Sequence, residues 1–152
     1  MAGLLTDAHR AWIGHEDPPI QVEVSRRDIV KYAVATEQLQ DKYLRGDEAP
    51  PMFIFNLFGA LRPISELRPD GLPRGGGTGP KLPLTRMMAG GMELTQHRPI
   101  RPGDRLTGTH RIVDIYEKKG SQGPLVFIVR ALIVTAADGE PVLEEKQTGI
   151  AR

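Results

Sequence analysis

The chain has 152 residues, of which 39% are hydrophobic and 26% are charged, and its formal net charge is +1. This length is enough for one ordinary domain with its own core, and the near-zero charge argues against binding to nucleic acid or an anionic membrane. The absence of cysteine excludes disulfides, cysteine nucleophiles and thiolate metal sites.

The first 19 residues are expected to form a leader, and the domain itself is placed at residues 20–152. Residues 4–14 favour a short helix, which Asp17-Pro18-Pro19 ends because the residue before a proline avoids the helical region. The N-terminus has no basic stretch followed by an apolar run. The sequence therefore predicts no signal peptide and a cytoplasmic location.

A strand and a helix open the domain. Residues 20–24 alternate apolar and polar side chains, which is the period of a half-buried strand. Ser25 precedes Asp28 by three residues, a spacing typical of a capped helix N-terminus. A helix is therefore predicted at residues 26–36, followed by a polar loop at residues 37–48.

The most apolar stretch of the chain, residues 52–61, follows Pro50 and Pro51. Proline is tolerated at the first position of a helix, where its missing N–H has no partner to lose. The apolar residues that follow would cover every side of a helix, and such a helix must be buried all round. It is too short to cross a bilayer, which takes about 20 apolar residues. The stretch therefore predicts one short, buried central helix.

The second half of the chain predicts an antiparallel sheet. Residues 62–83, which are rich in proline and glycine, form a long irregular connection. Strands are predicted at residues 88–96, 105–117, 124–136 and 142–150. Gly90 and Gly91 indicate a bulge or a close backbone approach in the first of these strands. The connections between the strands are too short for parallel crossovers, and Asp138-Gly139 is a strong hairpin signal.

These elements predict an α+β hot-dog fold, in which a curled antiparallel sheet wraps around one buried central helix. The argument is that a single sheet can bury a helix on all sides only by curling around it. An open α+β sandwich is the alternative that the pattern leaves open.

Five segments together resemble a known family, and they lie at residues 49–53, 88–93, 98–106, 113–120 and 123–127. The third contains the pattern Arg-Pro-x-x-x-Gly-Asp. The segments resemble the MaoC-like hot-dog dehydratases, and more closely their N-terminal, fungal-synthase-type dehydratase half. The resemblance covers residues 20–152. It implies (R)-specific hydration of trans-2-enoyl thioesters, or the reverse dehydration, with no metal and no cofactor.

The resemblance also implies where the chemistry would lie. Active members carry Asp-x-Asn-Pro-x-His before the central helix, where the acid and the base act on water and substrate, and a glycine amide holds the thioester oxygen. Gln38 stands at the aspartate position, Tyr43 at the histidine position, and Pro51, which has no N–H, at the glycine position. A shift of one residue brings Glu37 or Asp41 near the acid position and still supplies no histidine. No catalytic residue is therefore assigned.

The four histidines do not replace the missing base. His9 and His15 lie in the leader, His97 lies at the edge of a predicted strand, and His110 lies within one. Their spacing is not that of a zinc site, so solvated or structural roles are expected for all four.

The sequence thus predicts a non-catalytic, substrate-enclosing subunit of a heteromeric enoyl-CoA hydratase or 3-hydroxyacyl thioester dehydratase. Its partner would be a second hot-dog subunit that carries Asp-x-Asn-Pro-x-His, and its substrate a bulky or long acyl-CoA of lipid or steroid side-chain metabolism. The residues expected to bind substrate are Gln38, Tyr43, Pro51, Phe53, Met88, Gly90 and Gly91. One alternative is a stand-alone homodimeric thioesterase or hydratase with a nonstandard acid at Glu37, Asp41 or Glu48. The other is a non-catalytic acyl-CoA-binding module.

Overall fold

The computed structural model describes residues 3–55, 57–59, 61–74 and 78–152. Within these residues the strands are β1 (Ile20–Glu23), β2 (Met87–Gln96), β3 (Arg105–Gly120), β4 (Gly123–Ala136) and β5 (Pro141–Ala151). The α-helices in the same residues are α1 (Asp7–Arg10), α2 (Arg26–Ala35) and α3 (Asp41–Leu44), with 3-10 helices at Pro51–Ile54 and Ile64–Glu66. No helix in the described part of the chain is long and apolar enough to cross a membrane.

The five described strands form one antiparallel sheet in the order β1-β3-β4-β5-β2. All of the predicted strands are present, and their ends differ from the prediction by three residues or fewer. The β4–β5 turn is the Asp-Gly hairpin that the sequence predicts. Gly139 adopts φ 87° in the left-handed region that favours glycine, and its N–H donates to the Ala136 carbonyl at 3.0 Å.

Two hydrophobic clusters lie on one face of the sheet, which we call the inner face. The main cluster consists of Val24, Ile29, Ala49, Phe53, Ile54, Phe58, Ile100, Leu106, Leu132, Val134, Val142 and Leu143. The second cluster consists of Leu5, Ile112, Ile115, Val126, Ile128 and Ala151. Side chains an even number of residues apart on a strand lie on the same face. Both clusters therefore share the inner face of β4, to which they contribute Val126, Ile128, Leu132 and Val134.

The predicted central helix at residues 52–61 is wrong in length and in type. The stretch begins with the 3-10 helix Pro51–Ile54, and the backbone leaves the helical region at Phe55, with φ −59° and ψ 119°. Residues 56 and 60 lie outside the described residues, as do residues 75–77 of the predicted long loop. This stretch thus contributes one short turn to the covering of the inner face, beside Ile29 of α2, and not a continuous helix.

A single sheet offers one apolar surface, which explains why only part of this stretch is buried. Phe53 and Phe58 are 6% and 1% exposed in the main cluster. The Phe58 ring lies against Gly108, at the place where a Cβ would otherwise stand. Phe55 and Leu61 are 52% and 101% exposed on the other side. Aromatic side chains are also weak helix formers, since a helix restricts their rotamers.

The Arg-Pro-x-x-x-Gly-Asp pattern forms the turn between β2 and β3. Arg98 Nη1 and the Arg101 N–H each donate to Asp104 Oδ2 at 2.9 Å. Burial alone would raise the pKa of Asp104, but these hydrogen-bond donors hold it below its ordinary value. The Gly103 N–H donates to the Val24 carbonyl at 2.8 Å, which ties the turn to the end of β1. The pattern therefore has a structural role in this chain.

Candidate functional site

Strand β2 lies at the end of the sheet, so one of its edges has no partner strand among the described residues. Its side chains are exposed almost throughout. Met87, Met88 and Met92 are 55%, 37% and 37% exposed. An exposed edge with apolar side chains is a template for pairing with another strand. This edge is the first feature of the candidate site.

The glycines of β2 form the bulge that the sequence predicts. The β2–β5 register shifts between Ala89 and Gly91, which leaves Gly90 as the bulged residue. A Cβ at Gly90 would lie 2.9 Å from side-chain atoms of Ile150. A larger residue at this position would therefore force the Ile150 side chain to shift.

The site residues predicted before β2 lie in the loop after α2, on α3 and in the 3-10 helix Pro51–Ile54. Gln38 follows α2, and its Nε2 donates to Thr36 Oγ1 at 3.2 Å. Tyr43 is 8% exposed on α3, and Pro51 is exposed as the first residue of the 3-10 helix. Phe53 packs in the main cluster, with its ring centroid 5.7 Å from that of Tyr32. Of these four predicted residues, Phe53 alone belongs to the main cluster.

The structure does not bring Met88 to the same face as Phe53. Met88 pairs with Ile150, and Ile150 pairs with Phe127. The neighbours of Phe127 along β4 belong to the second cluster, so Phe127 points away from the inner face, and Met88 does the same. The β2 residues on the inner face are instead Met87, Ala89, Met92, Leu94 and Gln96. Counting the alternation of inward and outward side chains along β2, with the bulge at Gly90 included, would have identified these inner-face residues.

Two open depressions lie beside the beginning of β2. One has a volume of about 560 Å³ and includes residues of the β3–β4 hairpin, and the other has about 690 Å³ and includes residues 68–73. Arg86, Met88 and Arg152 line both of them. Met88 is thus the predicted site residue that borders open space at the free edge.

The three acids of the stand-alone alternative lie at the surface or in ion pairs. Glu37 is exposed in a left-handed conformation with φ 53°. Asp41 is exposed, 3.6 Å from Arg45 Nη1. Glu48 Oε1 accepts a hydrogen bond from Lys42 Nζ at 2.8 Å. None of these three carboxyl groups is enclosed.

Glu145 is a buried acid that the sequence analysis did not single out. It is 9% exposed, and it faces Leu132 on β4 and Leu94 on β2, on the inner face. Burial raises the pKa of Glu145, and no described side chain supplies an opposing positive charge. Neighbouring residues on a strand point to opposite faces, so one of Glu144 and Glu145 had to face inward.

We expect the stability of the isolated chain to fall as pH rises through the range in which Glu145 ionises. The folded-state pKa lies above the unfolded-state value, so this contribution is complete below the unfolded pKa and is lost as pH increases. Glu145→Gln removes the titration and should raise the free energy of unfolding by about 1 kcal/mol at neutral pH. Urea denaturation at several pH values between about 4 and 8 measures both effects.

Glu144→Gln is the matched control for this measurement. Glu144 points to the outer face and lies 3.8 Å from Lys146 in an exposed pair, which contributes little to stability. The control should follow the pH dependence of the unmodified chain. If Glu145→Gln also follows it, Glu145 does not titrate in the way that its burial indicates.

The histidines lie apart from one another and make local contacts. His9 Nε2 lies 3.1 Å from the Lys81 carbonyl, and His15 lies 3.4 Å from Asp17. His110 is half-buried on β3, and burial lowers its pKa. The described residues contain no group of three or more His, Cys, Asp or Glu side chains placed to hold a metal ion.

Comparison with known proteins identifies the family. Residues 11–145 match the family model described as FAS1-like, dehydratase domain region. The chain belongs to this family. The resemblance to MaoC-like dehydratases that the sequence motifs indicate is thereby confirmed.

Two curated relatives fit this assignment. The chain is 29% identical over 118 residues to mesaconyl-C(4)-CoA hydratase of Chloroflexus aurantiacus, in a match covering 78% of this chain. That match covers 42% of the relative, so the chain spans about two fifths of its length. The chain is also 29% identical over 149 residues to a UPF0336 protein of Saccharopolyspora erythraea, covering 94% of this chain and 90% of the relative.

Solved structures confirm the hot-dog fold. The C-terminally truncated HadBC complex of Mycobacterium tuberculosis, a 3R-hydroxyacyl-ACP dehydratase, matches with a TM-score of 0.66 and 17% identity, over 92% of this chain and 97% of that one. The ChsH1–ChsH2 complex of the same organism matches with a TM-score of 0.63 and 17% identity, over 95% and 87%. The predicted α+β hot-dog class is therefore correct, and the open sandwich is not adopted.

Proposed function

We propose that this chain is the non-catalytic, substrate-enclosing subunit of a heteromeric (R)-specific enoyl-CoA hydratase or 3-hydroxyacyl thioester dehydratase. The observation that carries the proposal is the set of side chains at the three positions where the family motif places its chemistry. Gln38 is held by a local hydrogen bond, Tyr43 is buried in α3, and Pro51 has no N–H to donate. These residues provide neither an acid–base pair nor an amide for the thioester oxygen.

The reaction then depends on a second chain for its proton transfers. In hydration, water adds its oxygen to C3 of the trans-2-enoyl thioester while a proton is delivered to C2, and dehydration is the reverse. A partner subunit that carries Asp-x-Asn-Pro-x-His supplies the acid and the base for both steps. The present chain contributes walls around the acyl group.

The free edge of β2 supports a partner of the same fold. A second strand that pairs with β2 would extend the sheet from one subunit into the next, with main-chain hydrogen bonds providing affinity. The apolar side chains Met87 and Met92 would then be covered on the inner side of the joint. The HadBC and ChsH1–ChsH2 complexes support a heteromeric arrangement by their fold.

The proposed substrate is a bulky or long acyl-CoA of lipid or steroid side-chain metabolism. The relative named mesaconyl-C(4)-CoA hydratase supports a CoA thioester. The short 3-10 helix Pro51–Ile54 supports a large acyl group, because one turn covers less of the inner face than a continuous helix would. The residues proposed to contact substrate on this side are Phe53 and the β2 side chains around Met87.

Co-expression with a hot-dog chain that carries Asp-x-Asn-Pro-x-His tests this function. We expect the purified complex to hydrate trans-2-enoyl-CoA, while this chain alone has no activity. Pro51→Gly in the isolated chain should restore none, because the acid and base are still absent. A partner whose motif histidine is changed to alanine is the control. Activity of this chain alone that a partner leaves unchanged would refute the proposal.

A further inference from the structure

The second cluster is covered by the N-terminal segment of the chain itself. Leu5 is 5% exposed within this cluster, and Leu4 and Trp12 pack against it as partly buried side chains. The remaining lining consists of aliphatic side chains of β3, β4 and β5 on the inner face, with Leu82 and Leu84 packed against it. We call residues 3–13 the cap segment, because they occupy the end of the inner face that the 3-10 helix does not cover.

Few contacts hold the cap segment in place. The Glu117 carboxylate accepts the backbone N–H groups of Leu4 and Leu5, and these bonds lower the pKa of Glu117. His9 Nε2 contacts the Lys81 carbonyl at 3.1 Å. The helical part, α1, has four residues and none of them is buried. The segment is thus attached by one buried leucine, two partly buried side chains, the Glu117 carboxylate and the contact of His9 with the Lys81 carbonyl.

A fixed point follows the cap segment at Gly14. Gly14 has φ 89° with open space where a Cβ would stand, and its N–H donates to the Ile112 carbonyl at 2.8 Å. The Ile112 N–H donates to the His15 carbonyl at 3.0 Å, and the Asp17 N–H to the His110 carbonyl at 2.9 Å. Residues 14–17 are therefore paired with β3 through three main-chain hydrogen bonds.

Polar side chains separate the second cluster from the main one. Arg130 lies on the inner face opposite Ile112 and Gln147, and its Nη2 donates to the Thr78 carbonyl at 3.0 Å. A ligand at the second cluster would thus meet aliphatic side chains, with the Glu117 carboxylate at one side and Arg130 at the boundary with the main cluster. Such a surface selects a hydrocarbon, since apolar burial is favourable without directional contacts.

We propose that the second cluster binds the hydrocarbon tail of the acyl thioester and that the cap segment is displaced when the tail enters. This inference rests on the proposed function for the choice of an acyl thioester as ligand. The tail takes the places of Leu4, Leu5 and Trp12, and Glu117 releases the two N–H groups. Short acyl chains do not reach the cluster and leave the cap segment in place.

Trp12 is the single tryptophan of the chain, so its fluorescence reports the cap segment directly. Its ring lies 4.7 Å from that of His15, centroid to centroid. We expect decanoyl-CoA, which is saturated and cannot be hydrated, to shift Trp12 emission to longer wavelength and to increase quenching by acrylamide. Butyryl-CoA and free CoA should leave both unchanged. Trp12 emission that stays constant while bound decanoyl-CoA is detected by calorimetry would overturn the proposal.

Glu117→Gln tests the attachment without removing any part of the core. A neutral amide is a weaker acceptor for the two N–H groups, so the variant should bind decanoyl-CoA more tightly by a few-fold, with butyryl-CoA binding unchanged. In a chain that lacks residues 1–13, the affinity for saturated acyl-CoA should rise about fourfold for each CH₂ group added to the acyl chain. If the affinity for acyl-CoA depends on acyl-chain length equally in the unmodified protein and in Glu117→Gln, displacement of the cap segment is contradicted. Glu117→Gln serves as the decisive variant if the truncated chain does not fold.

The outcome is separable from that of the proposed function. Decanoyl-CoA binding needs neither a partner nor turnover. A Trp12 response in a chain whose complexes never hydrate enoyl-CoA supports the cap and refutes the hydratase role. Hydration of enoyl-CoA by the complex, with Trp12 fluorescence that decanoyl-CoA leaves unchanged, supports the hydratase role and refutes displacement of the cap segment.

Discussion

Phe58→Ala is expected to lower the free energy of unfolding by about 3–5 kcal/mol. Phe58 is 1% exposed, and its ring packs in the main cluster against Gly108. Removal of the ring leaves a cavity between the sheet and the 3-10 segment, and the loss of buried apolar area adds to the cost of that cavity. Urea denaturation of the isolated chain, followed by circular dichroism, measures the difference.

Phe55→Ala is the control in the same stretch of sequence. Phe55 is 52% exposed, so we expect its substitution to change the free energy of unfolding by less than about 1 kcal/mol. Equal losses for the two variants would mean that the stretch is packed on both sides, as a fully buried helix would be. Unequal losses in the expected order support the one-sided packing described above.

Ala89→Pro is expected to abolish both association with the hot-dog partner and partner-dependent hydratase activity. The backbones of Arg86 and Arg152 donate to each other at 3.2 and 2.9 Å, so Arg86 directs its polar groups toward β5. Alternation along the strand then directs the N–H of Ala89 toward the free edge. Proline removes that N–H and places its ring at the edge, where a partner strand would pair. Co-purification and the enoyl-CoA hydration assay measure the loss.

Ala89→Ser is the matched control, because it retains the N–H with a side chain of similar size. It should assemble and hydrate like the unmodified chain. Both variants should melt within a few degrees of the unmodified isolated chain, since the β2–β5 pairing does not use the N–H of Ala89. A fully active complex of the Ala89→Pro chain would place the partner on another surface.

The sheet was predictable because each hairpin has a local signal. Alternation and turn residues placed β3, β4 and β5 within three residues of their observed ends, and the paired glycines indicated the bulge in β2. The pairing of β1 with β3, and of β2 with β5, joins segments far apart in the chain. That topology follows from the requirement that one curled sheet bury one apolar layer. The sequence pattern indicates this requirement for the fold as a whole and not for each pair of strands.

The error at residues 52–61 has a definite cause. A run of apolar residues indicates burial, but it does not distinguish a helix from an irregular segment, because periodicity is absent when every position is apolar. Phe55 and Leu61 face away from the sheet, where nothing in the described chain covers them. Their exposure depends on the absence of a second apolar layer, and a single sequence does not contain that information.

The candidate site was predictable only in part for a similar reason. The motif positions Gln38, Tyr43 and Pro51 came from the family resemblance, and they lie in the loop after α2, on α3 and at the start of the 3-10 helix. The orientation of β2 side chains depends on the bulge at Gly90, which reverses the alternation after it. Glu145 was missed because two adjacent acids on a strand look equivalent until the register fixes which one faces inward.

The free edge of β2 has a consequence for how the chain is produced. A ten-residue edge with exposed methionines is a template for pairing with any compatible strand, including another copy of itself. Chains synthesised in excess of the partner would therefore be prone to self-association and aggregation. Under the proposed heteromeric function, balanced synthesis of the two subunits would limit this self-association.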